Sequence, residues 1–171
     1  MADIAAGMYA YTNILAALMQ RQQTGEGRRI DISMLESLTE WMGYPMYYTL
    51  DGAAPPARTG ASHATIYPYG PFPAGDGKTV MLGVQNEREW AAFCREVLQQ
   101  PELATDPRYS SNSKRTAERA SLQQLIVSTF SSLSADALVL RLDAAQIANA
   151  QVNTMAGVWA HPQLLARRRW T

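Results

Sequence analysis

The chain has 171 residues, 47% of them hydrophobic and 18% charged, with fifteen basic side chains against fifteen acidic ones. That composition fits one or two small globular domains with a real core, and the zero net charge gives no reason to expect nucleic acid or an anionic membrane as a partner. A single cysteine, Cys94, excludes an intramolecular disulfide and points to a reducing, cytoplasmic compartment.

The N-terminus lacks the basic region of a signal peptide. The apolar run from Ile4 to Met19 is broken by Gly7, Thr12 and Asn13, too short and too polar to span a bilayer. Instead, Met8, Tyr11, Leu15, Leu18 and Met19 recur at helical spacing and predict a helix over 5–24, stopped by glycine at Gly25. Alternation of Ile30 and Ile32 with Arg29, Asp31 and Ser33 predicts a strand over 28–33. A second helix is expected over 34–48, with Pro45 as its kink or end. From Leu50 to about Ile66 periodicity disappears among glycines and prolines, which reads as a linker carrying Arg58 and His63.

Beyond it, two strands flanking Gly75, Asp76 and Gly77 predict a β-hairpin. Asn86 is placed to cap a helix over 87–99, and an irregular connector covers 101–109. Helices are expected over 113–133 and 135–145, the latter capped by Ser134. A last strand is expected over 147–153, and His161–Pro162 opens a short basic helix. The fold class is therefore α+β: a helix–strand–helix segment over 1–49, a linker over 50–66, a small α+β domain over 67–165 and a closing linker over 166–171.

Taken singly, the candidate functional residues have plain structural readings. Asp3 stands before a helix, where an aspartate caps a backbone N–H. Cys94 lies in an apolar stretch and reads as a packing thiol rather than a nucleophile. One cysteine and two distant histidines, His63 and His161, give no metal-binding spacing. Gly25–Gly27 ends a helix rather than opening one, so it is no phosphate loop, and Arg167–Arg169 reads as a solvated helix end.

The ordered set of motifs says more. ADIAAGMYA (2–10), ILAAL (14–18), TGEGR (24–28), IDISMLE (30–36), RTG (58–60), PYGPF (68–72), GVQNEREW (83–90), LATDPRY (103–109), the Arg115–Arg119 pair and HPQLLAR (161–167) together resemble the class III coenzyme A transferases of the CaiB/BaiF type. The resemblance runs over nearly the whole chain. It implies that Asp3 is the nucleophile of an exchange between an acyl-CoA and a carboxylic acid, of which small dicarboxylic acids are the expected kind. It implies no permanently bound cofactor, coenzyme A entering as substrate.

The resemblance also implies interlocked homodimers among full-length relatives more than twice as long, with most coenzyme contacts in an upstream domain. The chain alone is therefore expected to be inactive unless complemented, and to self-associate through apolar helix faces around Leu15, Leu18, Leu35 and Trp41. A second expectation is a non-catalytic dimerisation or scaffold module. A third is an acyl-CoA racemase, whose extra glutamate would fall in the Val84-Gln85-Asn86 stretch, which here holds no carboxylate, although Glu87 is adjacent. Arg58 and His63 are candidates for binding a second carboxylate.

Overall fold

The computed structural model describes residues 1–170; Thr171, the last residue of the expected closing linker, lies outside them. The chain forms two compact units, Met1–Ala57 and Arg58–Thr171, dividing inside the segment read as a linker. The class is α+β, with a three-stranded antiparallel sheet. Among the described residues no single helix is long and apolar enough to cross a membrane.

The first unit is helical. Helix α1 spans Ala2–Thr24, and Gly25, at φ 76°, takes the left-handed conformation that lets its N–H reach the Arg21 carbonyl. Residues 28–33 do not form the expected strand. Their alternation is real, but a strand exists only as a hydrogen-bonded pair, and no described segment offers a ladder partner. Helix α2, Met34–Glu40, is capped by the Ser33 hydroxyl, which accepts the Glu36 N–H at 3.3 Å. The single helix expected over 34–48 is instead two. Gly43, at φ 56°, breaks it, and Pro45 sits near the start of α3 (Tyr44–Tyr47), where its missing N–H costs nothing.

The second unit holds the core. Strands β1 (Tyr69–Pro73) and β2 (Thr79–Gly83) form the expected hairpin, with Phe72 opposite Val80. Gly75 lets the turn tuck against the chain at Ser131, where a Cβ would collide with the carbonyl, and its N–H donates to Leu133. Asn86 caps α4 (Glu87–Ala92) by accepting the Glu89 N–H at 2.9 Å. The helix expected to continue to 99 widens into a π-turn over Phe93–Val97, where the Leu98 N–H reaches back to the Phe93 carbonyl. That turn places Phe93, Cys94, Val97 and Leu98 in the core.

A 3₁₀ turn over Pro101–Ala104 leads on to α5 (Asn112–Ala117) and α6 (Arg119–Phe130), separated at Glu118 where one helix was expected. Helix α7, Ala135–Ala144, is capped by Ser134 as anticipated. Strand β3 (Ala148–Gln151) pairs with β2, and α8 (Met155–Trp159) and α9 (Pro162–Ala166) follow. Phe72, Val80 and Leu82 on one sheet face meet Leu122, Ile126 and Phe130 of α6 and Leu138 and Leu142 of α7. Phe130 lies edge-on to both Phe72 and Phe93, at ring-centroid distances of 6.0 and 6.4 Å.

Candidate active site

Asp3 does not cap α1. The helix begins at Ala2 with Met1 as its N-cap, because the Met1 carbonyl already accepts the Ala5 N–H at 2.9 Å. Asp3 therefore sits within the first turn, exposed, with no hydrogen bond from its carboxylate to any described residue. The N-terminal end of a 23-residue helix carries partial positive charge and favours an anion there.

Arg58 is exposed and forms no ion pair among the described residues. His63 is held from several sides. Its backbone N–H donates to the Tyr69 carbonyl at 2.9 Å, and its ring stacks on the Tyr69 ring, 5.2 Å between centroids and 26° between planes. Its Nδ1 accepts the backbone N–H groups of Thr65 and Ile66, each at 3.1 Å. The Arg119 guanidinium donates to the His63 carbonyl at 3.1 Å and lies over the Tyr67 ring. Asn112 completes the clasp, donating to the Thr65 carbonyl and accepting the Tyr67 N–H. Ser62 meanwhile fills the space a side chain at Gly70 would need.

Beside the clasp lies the most deeply buried charge of the unit. Arg115 is 1% exposed and sends two bonds to the Glu87 carboxylate, at 2.7 and 3.1 Å. It also donates to the carbonyls of Tyr67 and Tyr109, and its guanidinium lies over Trp90. The Arg115 hydrogen bonds hold the Glu87 carboxyl below the usual carboxylate range. Glu89 is also engaged, accepting the Gln85 N–H and an Asn86 side-chain N–H. The carboxylates next to Val84-Gln85-Asn86 are thus both tied into local structure.

The remaining candidates have structural places. Cys94 is buried, and burial pushes its thiol up to about 12. His161 caps α9 by accepting the Gln163 N–H at 3.3 Å, and Arg167–Arg169 are exposed beyond it. Among the described residues no group of metal-ligating side chains converges. The sequence pointed to His63, and to the Arg115–Arg119 pair only as part of a family motif; the clasp that Arg119 and Asn112 form around His63 was not foreseen. The available signal was the helical spacing of Asn112, Arg115 and Arg119 in the sequence, although the structure breaks the helix at Glu118 between the last two.

The ordered motifs and this α+β architecture agree with the resemblance, and comparison with known proteins shows the family. The family described as CoA-transferase family III matches residues 1–171. The human succinyl-CoA:glutarate CoA-transferase is 30% identical over 165 residues, covering 96% of this chain and 37% of the relative. The succinyl-CoA:mesaconate CoA-transferase of Haloarcula hispanica is 31% identical over 170 residues, covering 99% and 41%. A crystal structure of a CaiB/BaiF family protein from Brucella suis superposes with a TM-score of 0.83 at 32% identity, over 97% of this chain and 43% of that one. The chain belongs to CoA-transferase family III. It spans about two fifths of the length of the relatives it matches.

Proposed function

We propose that the chain serves coenzyme A exchange between an acyl-CoA and a small dicarboxylic acid, with Asp3 as the nucleophile. The observation that carries this reading is Asp3 itself: an unpartnered, exposed carboxylate in the first turn of α1. Glutarate and mesaconate in the names of similar proteins support the acceptor class. The Asp3 carboxylate attacks the thioester carbonyl, the C–S bond breaks, and the coenzyme leaves as thiolate, giving a mixed anhydride. The thiolate then attacks the aspartyl carbonyl, releasing the donor acid and leaving an aspartyl thioester. The acceptor carboxylate repeats the sequence in reverse, and Asp3 returns as a carboxylate. Coenzyme A is a substrate throughout, and no permanent cofactor is called for.

Transfer is favoured over racemisation because the one carboxylate adjoining Val84-Gln85-Asn86, Glu87, is committed to Arg115. A base for an acyl α-proton needs a carboxylate free to accept it. We place the protein in the cytoplasm on its cysteine usage, and propose that the exposed apolar face of α1, including Leu15 and Leu18, supports self-association. That face also favours the reading as a scaffold, which the same experiment separates. Turnover by the chain alone is not expected without complementation, but intact-mass analysis after incubation with succinyl-CoA, with peptide mapping, should show a single adduct on the Asp3 peptide that Asp3→Asn lacks. Absence of any adduct would leave the chain inert by itself and favour the association module.

A further inference from the structure

Residues 28–33 lack a ladder partner within the chain, yet they follow an extended path. Gly27 and Arg28 line a shallow groove with Leu18 and Arg21 of α1, while Ile32 and Ser33 line another with Tyr9 and Asn13. The segment therefore runs back along α1. The step from Arg21 to Tyr9 is about 18 Å along a helix, and Gly27 to Ser33 covers it at about 3 Å per residue, close to the rise of a strand. Arg29 and Asp31 reach each other at 2.8 Å, as side chains two apart on one strand face do. Both are exposed, whereas Ile30 and Ile32 are partly buried. From Arg28 to Ile32 the backbone makes no hydrogen bond among the described residues.

We propose that this segment is a docking strand for a second copy of the chain, the two copies pairing antiparallel about a two-fold axis at Ile30. The inference rests on the self-association proposed above and adds its surface and register. Charge complementarity selects the partner. With Ile30 opposite Ile30, Arg29 of each copy falls opposite Asp31 of the other, so the same ion pair is made twice. Moving the axis to Arg29 or to Asp31 sets that residue against its own copy, and a one-residue slip sets an isoleucine against a charge. Parallel pairing in register stacks both like-charge pairs. A bare two-stranded ribbon is marginal in water, but each strand here already lies along α1 beside Ile14 and Leu18. Backbone bonds and that apolar support supply the cohesion, and the exposed ion pairs choose the register.

Sedimentation velocity over a range of concentrations reads the association. Arg29→Asp and Asp31→Arg each put like charges opposite one another at both crossings, and each should weaken self-association about tenfold. Mixed in equal amounts, the two variants restore both opposite-charge pairs and should form a heterodimer with wild-type affinity. Mixing cannot rebuild the Arg29–Asp31 pair within either chain, so recovery reports the crossing between copies. Isotope-filtered NMR on labelled and unlabelled wild type together should show Ile30 of one copy against Ile30 of the other. Wild-type association that neither substitution weakens, or that mixing does not restore, would overturn the docking strand and leave association through the apolar face of α1 standing. A wild type that stays monomeric at every concentration would remove both.

Discussion

The two units use apolar side chains in opposite ways. In the second, Phe72, Val80, Trp90, Phe93, Leu122, Ile126, Phe130 and Leu138 are all sealed from solvent and touch one another. In the first, Ala5 and Ser37 alone fall in the buried class among the described side chains, while Met8, Tyr11, Leu15, Leu18, Leu35 and Trp41 stay exposed. Both sequences are amphipathic, so composition does not separate them. What separates them is whether the chain itself supplies the opposing surface. The second unit closes a sheet face with two helices; the first offers helix faces that ask for a partner.

The sharpest way to break that comparison is to cut into the closed core. Phe130 is fully buried and edge-on to two other rings. Phe130→Ala should cost about 3–5 kcal/mol, from lost transfer energy and the cavity left behind. Denaturant unfolding followed by circular dichroism reads the loss, and a cost near zero would mean that the second unit is not packed as described.

Next in size is the buried guanidinium. Arg115→Met would strip donors from the Tyr67 and Tyr109 carbonyls and from Glu87, and should cost about 2–3 kcal/mol. The same pair gives the second unit a response to acid. The Arg115 hydrogen bonds depress the Glu87 carboxyl in the folded state, as the Arg108 side chain does for Asp106. A depressed carboxyl stabilises the fold above its unfolded value, roughly pH 4, and that contribution disappears as pH falls through the folded value. Stability should therefore decline on the acid side of about pH 4, and Glu87→Gln should flatten part of the decline. An acid limb identical in wild type and Glu87→Gln would detach that pair from the pH response.

Much of the second unit could be read along the chain because its signals are local. The turn at Gly75–Gly77 and the caps at Asn86 and Ser134 depend on neighbours within a few residues, and Cys94 needed only its apolar surroundings to be placed in the core. The expectations that failed depend on partners or on local defects. Residues 28–33 have a strand's alternation but no ladder partner. The breaks at Gly43 and Glu118 and the π-turn at Phe93–Val97 each interrupt a pattern whose helical spacing continues across them. The candidate site shows the same division. His63 was visible as a loop histidine, but the Asn112 and Arg119 side chains that fix its loop lie 45 to 56 residues away from their partners. The two amide hydrogens that its ring Nδ1 accepts are something no motif records.

The smallest expected effect carries the comparison furthest. Leu18 has the same side-chain chemistry as the core leucines, yet it is exposed at 46%. In dilute solution, where no partner surface is present, Leu18→Ala should change stability by no more than about 0.5 kcal/mol, as for other surface positions. At higher concentration the same face should associate, and burial of a leucine adds about 1.5–3 kcal/mol to whatever complex forms. Replacing Leu15 and Leu18 together with glutamate should then shift sedimentation towards the monomer while leaving the unfolding of the second unit untouched. A concentration-independent cost of several kcal/mol for Leu18→Ala would instead show that the first unit packs this face within a single chain. The contrast between the two units would then be one of degree rather than of kind.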